Sequence, residues 1–139
     1  QHLVVLVVLW VNQYSSYFLC NIYMKELKNS FKRNGLIYKL VDRTSKVALY
    51  SLTIKDKTVE ELVGYEVCKV YIKPSHTING KTIEASESIP SNDQFSFDDD
   101  SKSFFPNELD RATEYLKYYS DVLTDKVKNR SNRLTIMAK

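Results

Sequence analysis

The chain has 139 residues, a formal net charge of +3 and a hydrophobic fraction of 43%. This length fits one domain with one core, and this apolar content excludes wholesale disorder. Two cysteines and three glycines exclude a disulfide framework and a glycine-rich phosphate loop.

Charge is distributed unevenly along the chain. Residues 25–81 contain twelve basic and six acidic side chains, whereas residues 84–114 contain nine acids and two bases. Residues 126–139 contain five bases and no acid. The pattern predicts a basic sheet region, an acidic connection leading into a helix, and a basic tail.

The first 23 residues differ from the rest. Leu3–Val11 is one apolar run, and Leu3–Tyr23 lacks charge and is about long enough to span a bilayer. It can be interpreted as a membrane anchor, a signal peptide, an upstream extension foreign to the domain, or a core strand or helix. A signal peptide lacks support because the segment has no basic region ahead of the apolar run.

Polar Asn12 and Gln13 disfavour the membrane anchor, since unsatisfied polar groups are costly in mid-span. Met24-Lys-Glu-Leu-Lys is typical of the start of a soluble protein and favours the extension. We therefore expect residues 1–23 to be an extension, residues 24–128 one domain, and residues 129–139 a basic tail.

Runs of β-branched and aromatic residues bounded by turn signals predict four strands. They follow a short charged lead-in, 25–31, which can be helical. The predicted strands are Leu36–Val41, Lys46–Ile54, Val63–Lys73 and Lys81–Glu87, with 59–62 irregular. Asn79-Gly80 is the strongest turn signal, because this pair readily adopts positive φ, and it predicts that the fourth strand pairs back on the third.

A helix is predicted from Asn107, its expected N-cap, to Lys128. Apolar residues recur there at three- and four-residue steps, which indicates one buried helical face. They are Leu109, Ala112, Leu116, Tyr119, Leu123 and Val127. The predicted fold is therefore α+β, an antiparallel four-stranded β-meander packed on one long C-terminal amphipathic helix.

No catalytic, cofactor or metal motif is recognised. The two histidines, His2 and His76, and the two cysteines have no zinc-ligand spacing. Residues 98–100 are three consecutive aspartates without the alternating ligands of an EF-hand, so they are interpreted as a solvated acidic loop. Glu84 and Glu87 fall on opposite faces of a strand and do not form a carboxylate pair. We expect a protein that is not an enzyme and needs no cofactor.

Basic side chains fall on or beside predicted strands that also carry tyrosines. Lysine and arginine bind phosphates, and tyrosine on a sheet suits protein contacts or base stacking. The candidate binding residues are Tyr38, Lys39, Arg43, Lys46, Tyr50, Tyr65, Lys69, Tyr71 and Lys73. The basic tail, with Lys126, Lys128, Arg130 and Arg133, is either a second phosphate-binding element or a solvated C-terminus.

The order of several short segments resembles short uncharacterised proteins encoded by bacteriophages of gut bacteria and related mobile elements. These segments are Leu36–Val41, Val47-Ala-Leu-Tyr, Val63–Val67, Asn79-Gly80 with Ile83-Glu-Ala, Pro90-Ser-Asn, and the acidic helix start. The aromatic segment expected before the helix is here Phe95-Ser-Phe and Phe104-Phe105, without tryptophan. The resemblance implies a phage accessory protein acting inside a bacterial host, and it implies no functional residue.

The sequence therefore favours a non-enzymatic accessory module that binds a host or viral macromolecule through an exposed sheet face. The alternative is a small nucleic-acid-binding protein using the same basic, tyrosine-rich face. A protein partner, nucleic acid and a second copy of the chain are the partners considered. The expected location is the bacterial host cytoplasm, or a membrane where residues 1–23 associate with one.

Overall fold

A computed structural model describes residues 2–11, 16–90 and 101–138. The chain divides into two compact units. The first comprises Gln1–Lys28 and Tyr71–Ser88, and the second comprises Asn29–Val70 and Ile89–Lys139. Phe95-Ser-Phe and the aspartates at 98–100 lie outside the described residues.

Strands make up most of the described secondary structure, and one long helix ends it. The elements are β1 (His2–Val11), β2 (Ser16–Lys25), β3 (Ser30–Arg33), β4 (Leu36–Arg43), β5 (Val47–Asp56), β6 (Val59–Lys69), β7 (Tyr71–Lys73), β8 (His76–Ile78), β9 (Lys81–Ile83), β10 (Ala85–Ser88), β11 (Ser101–Phe104) and α1 (Leu109–Met137). The α+β class is therefore confirmed.

The first unit contains a four-stranded sheet in the order β1-β2-β10-β7 and a separate β8–β9 hairpin. β1 and β2 pair antiparallel along their whole length, while β10 pairs parallel with β2 and antiparallel with β7. Asn79 and Gly80 have φ of 50° and 75°, the positive values of a type I′ turn. The predicted turn is confirmed at this position.

Residues from the uncharged N-terminal segment form strands in this unit. β2 ends at Lys25 and so runs through Met24 without a break. Asn12 and Gln13 lie outside the described residues. Among the helices of the described ranges, none is both long and apolar enough to cross a membrane.

The second unit is built on a five-stranded sheet in the order β11-β6-β5-β4-β3. All neighbouring strands in it are antiparallel, so β3 to β6 form a meander and β11 adds a fifth strand beside β6. The prediction of a four-stranded meander is wrong in its strand count and in its last strand. Residues Lys81–Glu87 do not join this sheet.

The predicted fourth strand does pair back on the end of the predicted third strand, because Ser86 and Glu87 of β10 pair antiparallel with Lys73 and Ile72 of β7. Both strands belong to the first unit's sheet, however, and not to the meander. The Asn79-Gly80 turn pairs β8 with β9 over three residues each, which closes a very short loop, and pairing over a short separation costs little chain entropy. The edge of β6 is instead occupied by β11, through the register Phe104↔Tyr65 and Ser101↔Cys68.

Other boundaries also differ from the prediction. The lead-in is extended rather than helical and becomes β3 at Ser30, the segment 59–62 belongs to β6, and the predicted strand Val63–Lys73 is divided at Val70 into β6 and β7. Gly64 in β6 allows β11 to approach closely. A Cβ at this position would lie 2.4 Å from the carbonyl oxygen of Phe104.

Helix α1 packs across the second unit's sheet. Leu116 is 1% exposed and Ala112 is fully buried, and both contact a cluster of inward-facing strand residues. The strand members of this cluster are Val47, Leu49, Tyr65, Val67 and Phe104. Burying each large apolar side chain contributes about 1.5–3 kcal/mol, so this contact holds the helix on the sheet.

The helix is longer than predicted and begins one position later. Glu108 rather than Asn107 is the N-cap, and its carboxylate accepts a hydrogen bond from the Phe105 N–H at 2.9 Å. The helix continues to Met137, so most of the segment predicted as a tail from residue 129 is helical. The apolar face holds at Ala112, Leu116 and Leu123, but Val127 is 55% exposed.

We predict that Leu116→Ala lowers the free energy of unfolding by about 2–5 kcal/mol, because truncation leaves a cavity between α1 and the sheet. Thermal unfolding followed by circular dichroism measures the loss. The neighbouring exposed change Lys117→Ala is the control and should alter stability by no more than about 0.5 kcal/mol. Equal melting temperatures for the two variants would contradict the packing.

Candidate functional site: a basic pocket between the helix and the sheet

Two cations reach the site because of the register of β5 and β6. Val47 at the start of β5 pairs with Lys69 at the end of β6, and Lys46 directly precedes Val47. Side chains two residues apart share a face of a strand, so Lys69 follows the buried Val67 on the face covered by α1. The Val70 N–H donates to the Lys46 carbonyl at 2.8 Å, which ties the two segments together.

Two further cations come from the helix. Lys126, Val127 and Arg130 follow the buried Leu123 at steps of three, four and seven residues, which places them along the same side of α1. Leu123 is 9% exposed, and the residues after Thr124 are exposed. The helix face thus changes from apolar to basic as α1 passes the end of the sheet.

The four cations meet around one pocket with a volume of about 180 Å³. It is lined by Lys46, Lys69, Val70, Leu123, Lys126, Val127 and Arg130. Four of these seven residues carry positive charge, three are apolar, and none carries a carboxylate. Clefts lined by one sign of charge focus their field and attract ions of the opposite sign, so the pocket is suited to an anion.

A hydrogen-bonded turn positions Lys46. Thr44 Oγ1 accepts the N–H groups of Lys46 and Val47 at 3.3 and 3.2 Å, and it also accepts the Ser120 hydroxyl of α1 at 2.8 Å. The Thr44 N–H donates to the Val47 carbonyl at 2.8 Å. One side-chain oxygen therefore connects the β4–β5 turn to the helix that supplies the other wall of the pocket.

Of the residues selected from sequence, Lys46 and Lys69 lie in this pocket. Tyr38 and Tyr50 are instead buried, at 1% and 0% exposure. The Tyr38 ring lies 4.8 Å from the Phe31 ring and 6.0 Å from the Tyr50 ring, and its hydroxyl donates to Glu66 at 3.2 Å. Both tyrosines pack within the fold on the sheet face opposite α1, and they do not present their rings at the surface.

Tyr65 is also a packing residue, because it belongs to the cluster beneath α1 and is 9% exposed. Arg43 is half-buried at the end of β4, where its Nε donates to the Thr44 carbonyl at 3.1 Å. Tyr71 and Lys73 lie in β7, in the first unit. The structure therefore brings Lys46 and Lys69 together, and it gives Tyr65 and Arg43 structural contacts.

Lys39 lies exposed on β4 and forms an ion pair with Glu60, with 2.9 Å between Nζ and Oε2. Glu60 also accepts a hydrogen bond from the Thr53 hydroxyl at 3.3 Å. The Lys39 contact is the main reason that the pKa of Glu60 lies below its ordinary value of 4.5.

Lys126 and Arg130 are not among the candidate binding residues of the sheet, and the sequence-based prediction places them only in a basic tail that binds phosphate or is solvated. The sequence carries a signal for them, because the three- and four-residue steps that identify Leu116 and Leu123 continue to Val127 and Arg130. The predicted helix end at Lys128 concealed it. Once α1 extends to Met137, this basic segment becomes a continuation of a packed helix face.

Metal and thiol chemistry find no support in the described residues. Within residues 2–11, 16–90 and 101–138, no group of three or more histidine, cysteine, aspartate or glutamate side chains is suited to a metal ion. Burial is the main reason that the pKa of the Cys68 thiol is far above its ordinary value, so Cys68 is a packing residue. His76 Nδ1 lies 3.2 Å from the Pro74 carbonyl oxygen, at the exposed start of β8.

Comparison with known proteins does not assign the chain to a family. The chain matches no protein-family model, no curated protein and no solved structure. The pocket and its contacts therefore carry the functional argument.

We predict that Thr44→Val destabilises the second unit by about 1–3 kcal/mol, because it removes the acceptor of three hydrogen bonds without changing the side-chain shape. Chemical denaturation measures the loss. Thr44→Ser keeps the oxygen and is the matched control, so it should stay close to wild type. If Val and Ser variants were equally stable, the hydroxyl would have no positioning role.

We predict that Lys39→Ala raises the pKa of Glu60 towards 4.5, the ordinary value, because the carboxylate loses its main cationic partner. Since the folded pKa is lowered, the stabilising contribution is present above the unfolded pKa and disappears as pH falls through the folded pKa. NMR titration of the Glu60 side chain measures the shift.

Lys55→Ala is the control for this titration, because Lys55 makes the smallest of the contributions to the Glu60 shift. The part of the stability difference between wild type and Lys39→Ala that depends on pH should disappear at low pH, where Glu60 is protonated in both proteins. Equal pKa changes for the two variants would contradict the Lys39–Glu60 contact.

Proposed function

We propose that the protein is a non-enzymatic module that binds nucleic acid through its phosphates. The observation that carries the proposal is the pocket at the end of the second unit's sheet, where Lys46, Lys69, Lys126 and Arg130 converge and no lining residue is acidic. Phosphate contacts by lysine and arginine supply most of the affinity of sequence-independent nucleic-acid binding.

The basic surface extends beyond the pocket along α1. Lys128 and Arg133 lie on the same exposed helix segment, and residues 126–138 contain no acidic side chain. Arg133 follows Lys126 and Arg130 at steps of seven and three residues and so continues their side of the helix, whereas Lys128 lies on another side. Several phosphates of one backbone can be neutralised at once by cations spaced in this way. The helix thus supports a longer contact than the pocket alone provides.

The pocket contains no aromatic residue, and the buried Tyr38 and Tyr50 are not placed to stack on bases. Recognition through this surface would therefore depend on phosphates and would tolerate changes of base sequence. We include in this proposal an accessory role in a bacteriophage, which is compatible with a small module that binds nucleic acid.

The sequence favours a protein partner because it predicts an exposed, tyrosine-rich sheet face. Tyr38 and Tyr50 are buried, so that face does not present their rings to a partner. Lys39 and Lys73 remain exposed, but exposed lysines make weak anchors for protein interfaces, in which aromatic and arginine side chains predominate. Nucleic acid is therefore the partner that the described surface favours.

We predict salt-dependent binding of a fluorescently labelled single-stranded oligonucleotide of mixed sequence, measured by anisotropy over a range of salt concentrations. Lys126→Gln combined with Arg130→Gln should weaken binding and lower the slope of log affinity against log salt by about one unit for each cation removed. The loss should be similar for unrelated sequences, because phosphates carry no base information.

Lys32→Gln combined with Lys55→Gln is the matched control, with the same charge change at exposed positions. The β3–β4–β5 pairing of Lys32, Ile37 and Thr53 places both lysines towards the end of β5 that lies about 30 Å from Val47. The control should bind nearly as well as wild type. Absence of binding at low salt, or equal losses for both double variants, would refute the proposed function.

A further inference from the structure

The cations of the pocket converge on a point instead of following a line. They come from three segments of the second unit, namely the β4–β5 turn with Lys46, the end of β6 with Lys69, and α1 with Lys126 and Arg130. An extended groove for a continuous strand would space its cations along the backbone. Here four positive charges surround a volume of about 180 Å³.

This concentration of charge exceeds what one backbone phosphate requires. An internal phosphodiester carries one negative charge, whereas a phosphomonoester carries about 1.5–2 negative charges at pH 7 and three strong acceptor oxygens. We propose that the pocket binds the terminal phosphomonoester of a nucleic-acid strand, so that the protein recognises phosphorylated ends. This inference rests on the proposed function and specifies which part of the nucleic acid enters the pocket.

The donors in the pocket suit a group with three acceptor oxygens. Arg130 presents a planar guanidinium that can contact two oxygens at once, and the three lysines are compact point charges that can approach the remaining oxygens from other directions. Lys46 and Lys69 come from the sheet, and Lys126 and Arg130 from the helix, so cations border the pocket from both elements.

The rest of the lining suits the terminal sugar rather than a second phosphate. Val70 and Leu123 are each 9% exposed, and with Val127 they supply the apolar part of the pocket. A terminal nucleotide places sugar carbons beside its phosphate, and these carbons can contact the apolar residues. Apolar neighbours also reduce hydration, which strengthens each charge contact with the phosphate.

Two of the four cations extend from backbone that is fixed within the fold. The Lys46 N–H donates to Thr44 and the Lys46 carbonyl accepts from the Val70 N–H, and Lys69 lies in the ladder opposite Val47. Binding a phosphate here would order the lysine side chains but no additional backbone. The sheet side therefore provides a defined place for the phosphate, and the helix cations complete it.

The test compares internally labelled oligonucleotides of one sequence that end in a 5′-phosphate, in a 3′-phosphate, or in hydroxyl groups at both ends. A hydroxyl-ended oligonucleotide one nucleotide longer controls for added charge. We expect one phosphorylated end to bind about tenfold more tightly than the hydroxyl-ended strands, in line with the greater strength of charge-assisted hydrogen bonds. Whichever phosphorylated oligonucleotide binds more tightly shows whether the pocket takes a 5′-phosphate or a 3′-phosphate.

Two double variants with the same change of charge test whether the preference for a phosphorylated end arises in the pocket. Lys69→Gln with Arg130→Gln removes two pocket cations and should abolish the ratio between phosphorylated and hydroxyl ends. Lys128→Gln with Arg133→Gln removes two cations of α1 that do not line the pocket, and it should weaken all oligonucleotides while preserving the ratio. Circular dichroism melting checks that both variants remain folded.

The outcomes separate the two proposals. Salt-dependent binding with equal affinity for phosphorylated and hydroxyl ends would overturn the terminal-phosphate inference and leave the nucleic-acid function standing. A preference that survives Lys69→Gln with Arg130→Gln would overturn the assignment to this pocket. Failure of every oligonucleotide to bind at low salt would overturn both the inference and the function on which it rests.

Discussion

The packing of α1 on the five-stranded sheet is the contact on which the second unit's functional surface depends. Leu116 and Ala112 are almost completely buried against Val47, Leu49 and Val67. This contact sets the rotation of the helix about its axis and its position along β5 and β6. Any cation that follows Leu123 on the same side of the helix is thereby directed towards the end of the sheet.

At that end of the sheet, the two-residue repeat of a strand and the three- to four-residue repeat of the helix place side chains around the same pocket. Along β6 the inward face repeats every second residue, which places Lys69 in line with Val67, and along α1 it repeats every three or four, which places Arg130 in line with Leu123. In both elements the core pattern continues by one or two positions after the apolar residues stop. The pocket arises because basic residues occupy those last positions in both elements.

Residue patterns within short segments were sufficient to predict the α+β class, most strands of the meander and the presence of the helix. Positive φ at Asn79 and Gly80 follows directly from the residue types. The partner of β6 depended on the division of the predicted third strand at Val70, which the sequence does not display. This division places β7 and β10 in the first unit's sheet and leaves the edge of β6 to β11. The sequence-based prediction placed Tyr38, Tyr50 and Tyr65 together on one exposed sheet face, but Tyr65 packs beneath α1 while Tyr38 and Tyr50 lie on the opposite face.

Alternation shows which residues share a face, but it does not show whether that face is open. Tyr38 and Tyr50 share the face opposite α1, where they contact Phe31 and are buried. For the candidate site, Lys46 and Lys69 could be selected because they flank strands. Lys126 already lay in the predicted helix, but Arg130 required the true length of α1, and helix ends are the least certain part of an assignment.

The charge arrangement has an energetic cost that the core must offset. Lys46, Lys69, Lys126 and Arg130 line one partly apolar pocket, and bringing like charges close together carries an electrostatic cost. Local conflicts of this kind are expected at functional sites. A compact anion resolves the conflict, because it supplies the negative charge that the fold itself does not place among the residues lining the pocket.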